Sequence, residues 1–165
     1  MSATTHPKQT PSGAQLNAVE LSSWRGFLRT HARVTRALDA ELVAAHGLPL
    51  SSYEVLLYLE NAPDSRLRMA ELADSVLLSR SGLTRMVDRL EQGGLVRRET
   101  CSSDLRGFHA VLTDSGRAAL LEARKTHLSG VRRLFLERFS VEEQRVMGGY
   151  FDRILEGVEI DSGPR

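Results

Sequence analysis

Residues 69–113 constrain the fold more than any other stretch of the chain, because two short helical patterns are followed there by two strand patterns. The first set of apolar residues recurs at helical spacing: Met69, Leu72, Ala73 and Val76. This spacing predicts a short amphipathic helix over residues 69–74. A turn follows at Leu77 and Leu78, before the second helical pattern begins.

The second helix is predicted over residues 80–92. Ser79 is its expected N-cap, since a serine hydroxyl accepts a hydrogen bond from an unpaired N–H of the first turn. The apolar stripe of this helix consists of Leu83, Met86, Val87 and Leu90. The opposite face is polar and consists of Ser81, Thr84, Arg85, Asp88 and Arg89. Gly93 and Gly94 are then expected to supply the left-handed backbone that ends a helix.

Two strands, over residues 95–100 and 108–113, are predicted to form a ribbon with a seven-residue tip at 101–107. Within the tip, Asp104 and Arg106 lie two residues apart on extended chain, so the carboxylate can brace the guanidinium group. An arginine suits this place better than a lysine, because its weakly hydrated head enters a narrow minor groove of DNA at a lower desolvation cost.

Two helices followed by such a ribbon, or wing, have the layout of a winged helix-turn-helix, which puts one helix into the major groove of double-stranded DNA and the wing into the minor groove. The candidate DNA-binding residues are Ser79, Arg80, Ser81, Thr84, Arg85, Arg89, Asp104 and Arg106. Plainer interpretations stay open. The two helices can be ordinary core packing, Arg85 and Arg89 can be a solvated face, and Asp104 with Arg106 can be a surface ion pair of little energetic value.

The chain resembles the MarR family of bacterial transcriptional regulators. The resemblance rests on four segments, Gly82–Glu91, Gly93–Val96, Asp104–Gly107 and Val111–Gly116. With the flanking helices it extends over about residues 20–158. It implies an obligate homodimer with interlocked terminal helices, a pseudo-palindromic operator, and release by a small ligand or by oxidation. It also implies that Arg106 enters the minor groove and that the helix around Ser81, Thr84 and Arg85 meets the major groove.

Long helices are predicted on both sides of this lobe, over residues 20–46, over 114–138 and from Ser140 onward. Two capping boxes are expected to open helices: Ser51 with Glu54 before residues 52–61, and Ser140 with Glu143 before the last helix. The last helix is lined by Val146, Met147, Tyr150, Phe151, Ile154 and Leu155. So much apolar surface suggests a partner, which the resemblance identifies as a second copy. The alternative is packing within one subunit.

The predicted fold class is therefore mainly α with a small β-wing, in which long N- and C-terminal dimerisation helices flank a winged helix-turn-helix lobe. One domain is expected from 165 residues. Its predicted divisions are a disordered tail at 1–18, a single domain at 19–158 with a DNA-binding lobe at about 50–113 and dimerisation helices at about 20–46 and 114–158, and a C-terminal tail at 159–165.

Composition narrows the class of function. The net charge of +1 means that DNA affinity must come from the placement of arginines rather than from bulk charge. With no apolar stretch of membrane-spanning length and no signal peptide, the chain is expected to be a cytoplasmic protein without membrane contact. The single cysteine, Cys101, excludes an internal disulfide. An inert thiol is favoured there over a redox sensor, although nearby Arg97 and Arg98 can activate it modestly.

No enzyme motif is present: the sequence has no phosphate-binding glycine-rich loop, no metalloprotease helix, no cysteine pair for zinc and no nucleophile elbow. The histidines are scattered, at positions 6, 31, 46, 109 and 127, so neither a metal nor a cofactor is predicted. The rival function is a winged-helix protein-interaction module without sequence-specific DNA binding.

A small, flat, anionic aromatic effector is also expected, because the resemblance places ligand pockets between the dimerisation helices and the DNA-binding lobe. The candidate pocket residues are Trp24, Arg25, Leu28, His31, Tyr53 and Leu57. Trp24 can stack on a ring, and His31 or Arg25 can meet a carboxylate or phenolate. The alternative is that these residues are ordinary core.

Overall fold

The computed structural model describes residues 15–76, 80–101 and 104–158. Its elements, in chain order, are α1 (Ala18–His46), α2 (Leu50–Asn61), a 3₁₀ turn (Pro63–Ser65), β1 (Arg66–Arg68), α3 (Met69–Ser75), α4 (Arg80–Gln92), β2 (Val96–Cys101), β3 (Asp104–Leu112), α5 (Asp114–Leu134), a second 3₁₀ turn (Leu136–Arg138) and α6 (Val141–Gly157). The predicted fold class is confirmed. The described part of the chain divides between residues 33 and 34 into two compact units.

The first unit contains the beginning of α1, which has a reciprocal cap. The Asn17 side-chain oxygen accepts the backbone N–H groups of Val19 at 2.9 Å and Glu20 at 3.0 Å. The Glu20 carboxylate in turn accepts the N–H of Asn17 at 2.8 Å. These bonds satisfy N–H groups that a helix start leaves unpaired. Asn17 therefore caps α1, which begins at Ala18, two residues before the predicted start at residue 20.

The core of the second unit joins α2, α3, α4 and α5 to the sheet. The apolar stripe predicted for α4 is confirmed, since Leu83, Met86, Val87 and Leu90 are all at most 5% exposed. Fully burying an apolar side chain of this size contributes roughly 1.5–3 kcal/mol. One side of α4 is thereby fixed against the core, and its other side is left for contact with a partner.

The capping box predicted for α2 is wrong. The helix begins at Leu50 after Pro49, not at Ser52, and neither Ser51 nor Glu54 caps it. Its first turn is capped from α1 instead, because the Asp39 carboxylate accepts the N–H of Leu50 at 2.8 Å. Desolvation raises the pKa of the Glu54 carboxyl group.

The sheet has three antiparallel strands in the order β1-β3-β2, and β1 was not predicted. Leu67 of β1 pairs with Ala110 of β3. The two wing strands also run further than expected: Cys101 pairs with Asp104, although a register irregularity lies between Thr100 and Cys101. The predicted seven-residue tip was therefore too long, because Cys101 and residues 104–107 belong to the strands.

Thr113 joins the wing to α5. Its hydroxyl donates to the carbonyl of Gly94 at 2.7 Å and accepts the N–H of Gly116 at 2.9 Å. Its own N–H donates to the carbonyl of Leu95 at 3.2 Å. The predicted strand residue is thus the N-cap of α5. At the end of α4 only Gly94 takes a positive φ, of 71°, so the left-handed role expected of Gly93 is wrong.

Helix α5 ends at Leu134, four residues earlier than predicted, because Phe135 leaves helical geometry at φ −126° and ψ −62°. A 3₁₀ turn separates it from α6. The capping box predicted for α6 is confirmed: the Ser140 N–H donates to the Glu143 carboxylate at 2.8 Å, and the Glu143 N–H donates to the Ser140 hydroxyl at 3.3 Å. These bonds from Ser140 lower the pKa of Glu143.

Glu60, at the end of α2, holds α5 through two arginines. Its carboxylate forms ion pairs with Arg124 and, at 3.5 Å, with Arg117. Arg117 also donates to the hydroxyl of Ser65 at 2.7 Å. Ser65 and Asp64 both have positive φ, 52° and 53°, which is costly for residues other than glycine. The strained turn before β1 is therefore held against α5 by a directed hydrogen bond.

Within the described residues, no single helix is long and apolar enough to cross a membrane. Helices α1 and α2 pass the same test of length and composition only when they are taken together as a bent pair.

Candidate nucleic-acid interface

The outward face of α4 is the centre of the candidate interface. Ser81, Thr84, Arg85 and Arg89 are all exposed, as the helical spacing predicted. Neither Arg85 nor Arg89 forms an ion pair with any residue that the structure describes. Two guanidinium groups and two hydroxyls therefore lie on one side of a helix whose other side is fixed in the core. Such a face can donate to base edges and to phosphates.

Asp88, which was predicted to face outward, is turned toward the sheet. Its carboxylate accepts from Nη2 of Arg98 on β2 at 2.6 Å. Nη1 of the same guanidinium donates to the Glu91 carboxylate at 2.6 Å. Arg98 also donates through Nη2 to the carbonyl of Thr84 at 3.4 Å, and through its backbone N–H to Glu91 at 2.9 Å. One side chain of the wing thus reaches two turns of α4.

Arg98 stays charged although its side chain is only 22% exposed. Burial by itself lowers the pKa of Arg98, but the hydrogen bonds and charges of Asp88 and Glu91 outweigh it, and the pKa ends above its ordinary value. This contact between Arg98 and α4 was not predicted from the sequence. The signal was an arginine two residues after Val96, on the inward face of a strand, with acids at helical spacing on the preceding helix.

The wing carries a second arginine on its other face. Arg97 pairs with Glu99 and has a side chain that is 56% exposed. Asp104 and Arg106 lie on β3, which confirms the extended backbone expected for them. Four predicted features lie outside the described residues: Ser79 and the side chains of Arg80, Asp104 and Arg106. The side chain of Cys101 lies outside them as well.

The candidate effector residues fall in both units. In the first unit Trp24 is 52% exposed and Leu28 44%, and Arg25 and His31 are exposed as well. The Trp24 ring stacks on Phe27 with the ring centroids 5.9 Å apart, and Phe27 stacks on His31 at 6.3 Å. These side chains form an exposed aromatic row along α1.

In the second unit Tyr53 is only 3% exposed, and its ring stacks on His127 with the centroids 4.7 Å apart. Leu57 is half-buried against the core. Nδ1 of His127 is buried and has no hydrogen-bond partner among the described residues. Burial lowers the pKa of this imidazole. Tyr53 is therefore a core residue of the α2–α5 contact, and its role toward an effector stays a prediction.

Helix α6 exposes an apolar face to solvent in the single chain. Tyr150 is 54% exposed, Ile154 57% and Leu155 68%. A row of large apolar side chains on one helix is typical of a surface that a partner covers. In the part of the chain that the structure describes, no group of three or more histidine, cysteine or acidic residues is placed to hold a metal ion.

Comparison with known proteins agrees with this geometry. A sequence model described as MarR family matches residues 46–107. The HTH-type transcriptional repressor YetL of Bacillus subtilis is 30% identical over 115 residues, which cover 67% of this chain and 68% of that protein. The HTH-type transcriptional regulator PecS of Dickeya dadantii is 28% identical over 123 residues, covering 73% of this chain and 72% of that protein.

Among solved structures, the MarR family transcriptional regulator Sco3205 of Streptomyces coelicolor, in complex with DNA, superposes with a TM-score of 0.84 at 35% identity. The match covers 93% of this chain and 96% of that one. The regulator AbsC of the same organism gives a TM-score of 0.80 at 32% identity, covering 88% of this chain and 97% of that one. The chain therefore belongs to the MarR family of transcriptional regulators.

Proposed function

We propose that this regulator is a homodimeric repressor that binds a pseudo-palindromic operator through α4 in the major groove and the β2–β3 wing in the minor groove. One observation carries the proposal. The exposed face of α4 presents Arg85 and Arg89 without an ion-pair partner among the described residues, while the opposite face is buried. The DNA complex of Sco3205, which is similar over most of its length, supports the same use of the fold.

The chemistry of each part follows from its side chains. The planar guanidinium group of Arg85 can donate both of its outer N–H pairs to one guanine edge. Ser81 and Thr84 are short enough to reach phosphates or bases beside it. Arg106 on the wing supplies the cation for the minor groove. We assign no catalytic role to any residue. We also propose that the protein acts in the cytoplasm, because it binds an operator.

The dimer is proposed from the apolar surface of the terminal helices. On the C-terminal helix α6, Tyr150, Ile154 and Leu155 are each more than half exposed in the single chain. Covering them with a second copy removes apolar surface from water at about 25 cal/mol per Å². A two-fold dimer presents two copies of α4, which calls for an operator with inverted half-sites.

The test is selection of genomic DNA fragments by the purified protein, followed by anisotropy titrations with the selected site and with a scrambled duplex. We expect Arg85→Ala to weaken the selected site by roughly 1–3 kcal/mol more than the scrambled one, because a lost base contact removes discrimination. Equal weakening of the two duplexes would make Arg85 a phosphate contact only. Failure of the wild-type protein to select any site would favour a protein-interaction module instead.

We further propose that a small anionic aromatic compound controls DNA binding through the row on α1. The support is that Trp24 offers an exposed ring next to Arg25, with His31 on the same row. A ligand that binds the DNA-incompetent form more tightly would release the operator by population shift. Salicylate-like and urate-like compounds should quench the fluorescence of Trp24, which is the only tryptophan.

The variants for this second test are His31→Ala and Arg25→Ala, and both keep Trp24. Loss of quenching in His31→Ala, together with weaker DNA binding by the wild-type protein at saturating ligand, is the expected result. Quenching that persists in both variants, or compounds that bind without changing DNA affinity, would remove this site from consideration. Val19→Ala gives an apolar control on the same helix, because Val19 is 75% exposed and is not one of the candidate pocket residues.

A further inference from the structure

Arg98 is an arginine on the inward face of a strand. It follows Val96 by two residues on β2, and Val96 is 1% exposed, so both side chains point to the side of the sheet that α4 covers. A guanidinium group at such a position loses much of its hydration. That loss is tolerated only when hydrogen bonds and opposite charges replace the water.

The hydrogen-bond acceptors and charges that replace this water all belong to α4. The carboxylates of Asp88 and Glu91 each accept a hydrogen bond from one guanidinium nitrogen, and the carbonyl oxygen of Thr84 lies within 3.4 Å of Nη2. Residues 84, 88 and 91 follow one another at helical spacing, so they line one edge of α4 over two turns. Arg98 therefore contacts α4 along its length rather than at a single point.

These bonds fix the rotation of α4 about its own axis, which the apolar core fixes only weakly. Packing of Leu83, Val87 and Leu90 sets how closely α4 approaches the sheet, but hydrophobic attraction has no preferred direction and resists rotation of the helix about its axis only weakly. A planar guanidinium group with carboxylates on two sides is directional. The angle at which Arg85 leaves α4 is thus tied to the strand that carries the wing.

We propose that Arg98 is a positioning residue that fixes the orientation of the recognition helix α4 relative to the wing. With this orientation fixed, α4 can enter the major groove and the wing the minor groove of the same operator. This inference rests on the proposed function. The two outer nitrogens of Arg98 are held by Asp88 and Glu91, and its side chain is only 22% exposed. Arg98 acts on sequence discrimination through α4 and contacts no phosphate itself.

The principal variant is Arg98→Met, which keeps the length of the side chain and removes its charge and directed bonds. Arg97→Met is the matched control, since it makes the same change one residue away on the exposed face. A triple variant, Arg98→Met with Asp88→Asn and Glu91→Gln, also removes the carboxylates that Arg98→Met leaves unpaired. Each protein is checked for folding and dimer mass, then titrated with the selected site and a scrambled duplex over a range of salt concentrations.

We expect Arg98→Met to lower the ratio of specific to non-specific affinity by about tenfold or more, at a salt slope equal to that of the wild type. The triple variant should stay as poor as Arg98→Met, because neutral carboxylates do not restore the angle of α4. Arg97→Met should weaken both duplexes alike. If Arg98→Met does not fold, Arg98→Lys replaces it, since a lysine keeps the charge but is not a planar fork; it should still lose part of the ratio.

Several results would overturn the inference. A salt slope that falls by about one with equal loss on both duplexes would make Arg98 a phosphate contact. Recovery of wild-type discrimination in the triple variant would reduce Arg98 to neutralising two acids near DNA. An unchanged ratio in the folded Arg98→Met or Arg98→Lys protein would leave it no role in recognition. Absence of specific binding by the wild type would instead overturn the proposed function, and this inference with it.

Discussion

The first turn of α5 has room for glycine alone at position 116. A Cβ on Gly116 would lie 2.0 Å from the carbonyl oxygen of Leu95 and 2.8 Å from Cδ1 of Leu112. The carbonyl cannot simply turn away, because it accepts the N–H of Thr113. Gly116→Ala must therefore push the start of α5 off the sheet, although alanine is the better helix former.

The magnitude follows from what the shift disrupts. Two hydrogen bonds of Thr113, to the carbonyls of Gly94 and Leu95, lie at the junction. At about 0.5–1.5 kcal/mol each, they put roughly 1–3 kcal/mol at stake. Forcing an extra methyl group into a filled site costs about 1–3 kcal/mol more. Replacing a helical glycine by alanine returns about 1 kcal/mol. We expect Gly116→Ala to lose a net of roughly 1–5 kcal/mol of unfolding free energy.

The assay is urea unfolding followed by circular dichroism, at one protein concentration, because a dimer's stability depends on concentration. Gly149→Ala is the control: nothing lies within 4 Å of its Cβ position, and it faces away from the apolar stripe of α6. It should gain up to about 1 kcal/mol. A Gly116→Ala protein as stable as the wild type, beside a control that behaves as expected, would refute the close contact.

Arg106→Ala should lower the slope of log affinity against log salt by about one and leave the Tm unchanged; an unchanged slope would contradict a minor-groove role. Because burial lowers the pKa of His127, its neutral form stabilises the fold above the ordinary histidine pKa, and this contribution is lost as the pH falls through the lowered value. His127→Phe should therefore flatten the loss of unfolding free energy on acidification, and an identical pH profile in the two proteins would contradict this. Light scattering should give about twice 18.3 kDa, and Ile154→Glu should shift the mass toward the monomer; a wild-type monomer would contradict the dimer.

Hydrophobic periodicity was sufficient to predict the two faces of an element when one of them is buried and the other is exposed. The stripe of α4 and the polar face that holds Thr84 and Arg85 followed from spacing alone, because a helix fixed on a core must alternate in this way. The capping box of Ser140 and Glu143 was found for a similar reason, since both partners lie within one turn of sequence. Sequence patterns therefore predict those features that depend on contacts between residues close together in the sequence.

The features that were missed depend on residues distant in sequence. Strand β1 is three residues long and exists because β3 offers it a free edge. The first turn of α2 is capped by Asp39, eleven positions from Leu50, and no local pattern announces such a bond. Arg98 contacts residues seven to fourteen positions earlier. In the sequence, Arg98 looked like one more basic residue of the wing. The role proposed for it depends on the face of the strand from which its side chain extends.

Helix α5 is held at its start by the bond of Thr113 to Gly94, and one to three turns later by the pairing of Arg117 and Arg124 with Glu60. Bending the chain between the wing and α5 would break the hydrogen bonds of Thr113 to the carbonyls of Gly94 and Leu95. The chain leaves helical geometry at Phe135 instead. We therefore expect α5 and the DNA-reading elements to swing as one lever arm with its hinge near Phe135. Distance labels on α3 and α5 of one subunit should then keep their separation when the operator is released, while labels on the two α4 helices of the dimer move apart or together.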